Sequence, residues 1–262
     1  MPTHTATRHH SRSQVLTHCI VFVLLSMIVT TSDAMDYRVL ATYPHDVHAF
    51  TQGLIFADGQ LWESTGRYGY SSLRRVELTS GQVLQSVRLP ANVFAEGLAQ
   101  WGNCLIQLTW RAGIALVYDR TTLKQITQFN YQGEGWGLTS DGQYLIMSDG
   151  TAQLRWIDPV TYQNTGQIEI RDGKMPLTQL NELEYINGEV WANVYGRDAI
   201  VRIDPLKGTV RGWLDLTTLY PKERRPPTAD VMNGIAYDPA TQRLFVTGKY
   251  WPLLFVLELI HN

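Results

Sequence analysis

Cysteine is scarce in this sequence, with two among 262 residues, Cys19 and Cys104. Cys19 lies in a leading segment expected to be removed, which leaves Cys104 without a partner. That excludes an intramolecular disulfide, a four-cysteine zinc site and paired-cysteine redox chemistry. Cys104 itself, in Cys104-Leu105-Ile106-Gln107-Leu108, reads as a small core residue. Charge is thin as well: 18% of residues are charged and the formal net charge is −2, with no basic stripe to neutralise phosphates, so nucleic acid is not an expected partner. Helical periodicity is missing from every stretch after residue 35, and the histidines are scattered rather than clustered as metal ligands. What the chain does have is a large apolar share, 44%, enough for a substantial core, and a surplus of aromatic residues with 8 Trp and 13 Tyr.

One long apolar run occurs, from Val15 to Val29, behind Arg8, His9, His10 and Arg12. Its length, about 15 residues, falls short of the roughly 20 needed to span a bilayer. A basic start, an apolar middle and the small residues of Ser32-Asp33-Ala34 read as a signal peptide over residues 1–34, cleaved after Ala34. The rival reading is an uncleaved anchor. Cleavage predicts an exported protein, periplasmic or secreted, with no membrane attachment once the segment is gone.

The remaining residues, 35–262, repeat one pattern five times. The segments are Phe50-Thr51-Gln52-Gly53-Leu54, Phe94-Ala95-Glu96-Gly97-Leu98, Gly135-Trp136-Gly137-Leu138, Leu180-Asn181-Glu182-Leu183 and Met232-Asn233-Gly234-Ile235, at spacings of 44, 40, 45 and 52 residues. Each is followed by a turn such as Asp58-Gly59 or Asn187-Gly188, a second strand, and a third strand that closes on an acid: Glu77, Asp119, Asp158, Asp204 or Glu258. Four units continue into a fourth strand, for example Gln82 to Leu89 and Val210 to Leu216; the fifth does not. Four strands at this spacing predict an all-β five-bladed propeller as a single domain. Tyr37 to Tyr43 is the expected donor of the missing strand, closing the ring and covering an edge. The longest spacing holds an insertion, Tyr220 to Asp230, read as a surface loop. Trp62, Trp156 and Trp191 fall in strand patterns and read as packing between blades, whereas Trp251 can be read either way.

Residues equivalent by repeat are equivalent by rotation, so Gln52, Glu96, Trp136, Asn181 and Asn233 form a ring at one channel mouth if the first strand is innermost. Four hydrogen-bonding side chains and one aromatic ring at a single repeat position, where packing alone would call for five similar residues, favour a functional role. The alternative is that the polar members only satisfy strand ends and hold water. Glu96 is the single acid of the ring, and desolvation would raise its pKa toward a proton carrier's range. Trp110, Tyr195 and Lys249 end second strands and could flank the same mouth.

Together with Trp62-Glu63-Ser64-Thr65-Gly66, Tyr68-Gly69, Ser71-Ser72-Leu73-Arg74, Leu108-Thr109-Trp110, Glu134-Gly135-Trp136-Gly137, Asn181-Glu182-Leu183-Glu184-Tyr185 and Thr247-Gly248-Lys249, these segments resemble the plant and bacterial type of glutaminyl cyclase along the whole of the mature chain. The resemblance implies a five-bladed enzyme that converts the N-terminal glutamine of peptides or proteins to pyroglutamate and releases ammonia, with no metal or other cofactor. It implies Glu96 as the acid/base and Gln52, Trp110, Trp136, Asn181 and Lys249 as pocket residues. Tyr195 stands where the plant enzymes carry a tryptophan. Asn233 is carried as a pocket candidate through the ring, and a monomer is the expected state. Two other classes remain open on the residues alone: a lactonase-like propeller hydrolase with a divalent cation on Glu96, Asn181 and Asn233, and a non-catalytic propeller that binds peptides or sugars through its aromatic mouth.

Overall fold

The computed structural model describes residues 1–5 and 35–260. The expected signal segment, 1–34, therefore lies outside the described residues from residue 6 onward. The chain divides into units Met1–Thr31 and Ser32–Asn262. All the secondary structure described belongs to the second.

Alternating apolar runs separated by Gly, Asp and Asn turns form five sheets, in which the blade strands pair antiparallel. A leading strand β1 (Asp36–Pro44) precedes the first blade, made of β2 (Thr51–Ala57), β3 (Gln60–Thr65), β4 (Ser72–Glu77) and β5 (Val83–Arg88). The second blade is β6 (Ala95–Trp101), β7 (Cys104–Thr109), β8 (Ile114–Asp119) and β9 (Gln125–Asn130). The third is β10 (Leu138–Ser140), β11 (Leu145–Ser148), β12 (Gln153–Ile157) and β13 (Asn164–Glu169). A small hairpin, β14 (Arg171–Asp172) and β15 (Met175–Pro176), precedes the fourth blade of β16 (Leu180–Ile186), β17 (Glu189–Val194), β18 (Ala199–Asp204) and β19 (Thr209–Asp215). The fifth blade holds β20 (Met232–Asp238), β21 (Arg243–Gly248) and β22 (Leu253–Ile260), with β1 as its outer strand.

The strands β2, β6, β10, β16 and β20 neighbour one another around the axis, so the first strand of each repeat is innermost. Turn chemistry explains the hairpins: Asp58-Gly59 and Asn187-Gly188 both carry positive φ at the two central positions, the geometry that matches strand twist. The acids that end the third strands of the first four blades fold back onto the next turn. Asp158 accepts the Val160 and Thr161 N–H groups, Asp204 those of Leu206 and Lys207, and Glu77 is held at about 2 by hydrogen bonds from Ser80 and Thr79.

Ring closure follows the expected pairing, with β1 antiparallel to β22 from Asp36↔Ile260 to Pro44↔Leu253 and a bulge between Val39 and Ala41. The exposed Arg38–Glu258 ion pair adds at most about 1 kcal/mol, so the ladder and the packing of Ala41 and Tyr43 carry the closure. Just beyond β1, His45 joins three parts of the ring. Its Nδ1 lies 2.7 Å from the Trp251 carbonyl oxygen, and its Nε2 lies 3.0 Å from Glu63 Oε1. Arg74 bridges Glu63 to Asp46. Burial opposes charge on His45, but Glu63 beside it and the Trp251 carbonyl together raise its pKa.

Trp62 and Trp191 are buried and Trp156 is half-buried against the core, as their strand patterns predict. Trp251 is a core residue: it packs edge-on to Tyr220, its Nε1 donates to the Asp230 carbonyl, and Arg225 lies over its ring. The insertion is accordingly anchored at Tyr220 and Arg225, with a 3-10 turn at Lys222–Arg224 that buries nothing. The β14–β15 hairpin was not legible in the sequence, since each strand has two residues.

Candidate active site

A bulge interrupts the first strand of four repeats, between Thr51 and Gly53, Ala95 and Leu98, Leu180 and Leu183, and Met232 and Ile235. Bulges re-aim side chains at the ends of strands, and these sit at the repeat position of Gln52, Glu96, Asn181 and Asn233. Small residues beside them let inner strands touch: a Cβ on Gly97 would lie 2.5 Å from the Leu138 nitrogen.

The mouth so formed is a cavity of about 360 Å³ lined by Gln52, Glu96, Trp110, Trp136, Asn181, Tyr195 and Lys249, joined by Phe50, Arg67 and Phe94. Seven of the eight expected site residues are thus together. Asn233 is the exception. It is fully buried behind the wall, where its Nδ2 donates to the Thr51 carbonyl at 3.0 Å and approaches Gln52 Oε1 at 3.4 Å. It supports Gln52 instead of meeting a ligand, because its amide is turned along the strand between blades one and five.

Glu96 is 5% exposed and accepts a hydrogen bond from Gln52 Nε2 at 2.9 Å. Burial pushes its carboxyl well above the usual carboxylate range; the Lys249 charge pulls it down, Glu134 pushes it further up, and the Gln52 hydrogen bond lowers it. Burial likewise lowers Lys249, against the attraction of Glu96. Lys249 Nζ sits 4.6 Å from the centre of the Phe50 ring and 5.4 Å from that of Tyr195, an aromatic enclosure that substitutes for part of its lost hydration. Asn181 lines the pocket wall, and its side-chain oxygen is buried there with no hydrogen-bond partner.

The aromatic wall is held by a residue that the repeat did not single out. Glu134 Oε2 accepts the indole N–H of both Trp110, at 2.7 Å, and Trp136, at 3.0 Å, while its Oε1 pairs with Arg111 at 2.9 Å. The Trp136 ring also lies on Gly150 (φ 79°), where any Cβ would come within 2.7 Å of it. Phe50 and Phe94 were visible in principle, because each stands two residues before a ring residue; they meet edge to face at 6.0 Å.

One more acid lies in the channel. Glu182 occupies the place of the glycine in the other four repeats, and its two oxygens accept N–H groups from Leu54 at 3.2 Å and Ile235 at 2.8 Å, tying blade four to blades one and five. Among the described residues no group of three or more His, Cys, Asp or Glu side chains is arranged to hold a metal ion. Asn233 lies outside the pocket lining, so the three residues of the lactonase-like reading, Glu96, Asn181 and Asn233, do not share this cavity.

The arrangement can bind a short polar chain between aromatic walls and exchange a proton with it at Glu96. The profile of the family described as glutamine cyclotransferase matches residues 14–259. The glutaminyl-peptide cyclotransferase of Arabidopsis thaliana is 43% identical over 228 residues, 86% of this chain and 71% of that protein. The crystal structure of Myxococcus xanthus glutaminyl cyclase superimposes with a TM-score of 0.81 at 38% identity, covering 87% of this chain and 98% of that one. The β-propeller domain of Cps50 (Swd1) from Myceliophteria thermophila, 11% identical with a TM-score of 0.50 over 84% of this chain and 99% of that one, shares the fold alone. With the family profile spanning nearly the whole propeller, this chain belongs to the glutamine cyclotransferase family.

Proposed function

We propose that the pocket converts the N-terminal glutamine of peptides to pyroglutamate, with Glu96 as the proton carrier. The supporting observation is a buried carboxyl with a raised pKa, fixed by Gln52 at the base of an aromatic pocket. The substrate's α-amine attacks its own side-chain amide carbon, forming the ring C–N bond. Glu96 takes the amine proton and delivers it to the amide nitrogen, whose bond to carbon breaks to release ammonia. In this reading Lys249 stabilises negative charge on the amide oxygen, and Asn181 on the pocket wall hydrogen-bonds the amide. Trp110 and Trp136 flank the glutaminyl chain, holding amine and amide together and excluding the water that would give glutamate.

Gln52, a pocket residue as expected, also positions the carboxyl, because one of its two amide N–H groups donates to Glu96. Function and family are carried by the Arabidopsis and Myxococcus relatives. The assignment of steps is tested by ammonia release from a Gln-initiated peptide. Glu96→Gln should retain the circular dichroism of the parent and lose turnover by at least about a hundredfold; retained turnover would remove Glu96 from the mechanism. Activity should persist after exhaustive chelation, and loss would favour a cation on the ring oxygens.

Export is part of this proposal. N-terminal sequencing of the protein recovered outside the cytoplasm should begin at Met35, and an intact Met1 would restore the anchor reading.

A further inference from the structure

Beyond Arg67 the pocket continues into a second cavity of about 520 Å³, lined by His48, Arg67, Tyr68, Tyr70, Phe94 and Tyr250 among others. Arg67 and Phe94 belong to both. We propose that this groove is the binding site for the second and third residues of the peptide substrate, and that it selects neutral aromatic or acidic side chains over basic ones. The inference rests on the cyclase reading and extends it to the residues after the glutamine.

Continuity is the first argument. The glutaminyl residue is bounded below by Glu96, so the rest of the peptide must leave sideways or upward. Aromatic rings run unbroken in one direction: Trp110 meets Phe94 at 5.6 Å, and Phe94 meets Tyr68 at 5.3 Å. Tyr68 and Tyr70 are 50% and 73% exposed. Large rings left to solvent beside a pocket are the residue type that recognition surfaces use.

Arg67 at the junction is the second. Its backbone has φ 103°, a conformation that a side-chain-bearing residue holds only when its surroundings impose it. Its Nε–H donates to the Tyr250 hydroxyl at 2.9 Å, and its guanidinium lies 4.3 Å from the centre of the Phe50 ring. No carboxylate pairs with Arg67 among the described residues. Its terminal N–H groups are therefore free to donate to peptide carbonyls as the chain passes from pocket to groove.

Charge is the third. Arg67 meets the groove with no acid in its lining, and Lys249 stands on the pocket side. A lysine or arginine in the second position would approach fixed positive charge without a partner. An aromatic side chain would instead gain offset contacts with Tyr68 and Tyr70, and an acidic one would gain Arg67.

The test compares kcat/KM for glutamine amide, which ends before the groove, with Gln-Phe-Ala, Gln-Glu-Ala and Gln-Lys-Ala amides, in the parent, Tyr68→Ser and Tyr70→Ser. The parent should turn over the Phe and Glu peptides faster than the Lys peptide. The ratio of the Phe peptide to glutamine amide should fall by about three- to tenfold in each variant. Equal rates across the three peptides, or ratios unmoved by both substitutions, would overturn the groove while leaving the cyclase intact. No turnover of any glutaminyl substrate by the parent would overturn the cyclase reading and the groove with it.

Discussion

Gln52 donates its side-chain N–H to Glu96 at 2.9 Å, so the carboxyl proposed as proton carrier is oriented by the neighbouring blade. Gln52 is in turn braced by Asn233 from the blade on its other side. Three of the five ring positions therefore act as one chain of amides ending on a carboxyl.

That arrangement sets a pH signature. Gln52 and Lys249 both favour the ionised form of Glu96, whereas Glu134 disfavours it. The acidic limb of kcat/KM against pH should move to higher pH in Gln52→Leu and Lys249→Met, and to lower pH in Glu134→Gln. Losing the charge-assisted hydrogen bond in Gln52→Leu should also lower kcat/KM by roughly ten- to hundredfold. Shifts of one sign in all three variants would show that the limb belongs to another group.

Glu134→Ala removes the shared acceptor of Trp110 and Trp136. The two indoles lose their fixed orientation, so KM for a Gln-peptide should rise several-fold with a smaller change in kcat. Steady-state kinetics on the amide substrate reads this directly. A fall confined to kcat would place Glu134 in the chemistry instead of the wall.

Glu182→Gln exchanges an oxygen acceptor for an NH2 group facing a backbone N–H in the channel. One of the Leu54 and Ile235 N–H groups is then left unpaired, at a cost of about 1–3 kcal/mol. Thermal unfolding should show a lower Tm by roughly 2–10 °C. An unchanged Tm would mean that the tie between blades contributes nothing net.

Stability should decline toward alkaline pH. His45 has a folded pKa raised above its unfolded value of about 6.5, so its contribution is complete below that value and is lost as pH rises through the raised one. Glu184, pushed up to about 8 chiefly by burial, acts with the same sign. Glu63 is depressed, with Arg74 and His45 outweighing burial, and loses its contribution only in strong acid. Tm measured from pH 6 to pH 9 should fall in the parent and fall less in His45→Gln. Parallel slopes in the two proteins would dismiss the histidine.

The propeller was legible because one short pattern recurs, and recurrence at 40–52 residues identifies equivalent positions before any contact is known. Glu96, Trp136 and Asn181 followed from that equivalence. Asn233 occupied the same register yet turned away, since the direction of an amide depends on the adjacent blade and not on strand position. Glu134 stands in one of the resembling segments, yet its role is hidden in the sequence for a related reason. Its importance lies in accepting from two indoles 24 and 2 residues away, a meeting that only the folded ring creates. Trp251 could not be placed from its surroundings in sequence because the insertion that covers it comes from Tyr220 and Arg225.

The pairing of β1 with β22 joins residues more than 200 positions apart, such as Arg38 and Glu258. Such a contact forms last on entropic grounds, and during synthesis at about 5–20 residues per second the leading strand waits for many seconds as an open edge. Exported chains that cross a membrane unfolded would meet the same delay on the far side. Assembly of the catalytic ring is thus timed by arrival of the final strand, and any early pairing of β1 with another chain's sheet edge competes with activity itself.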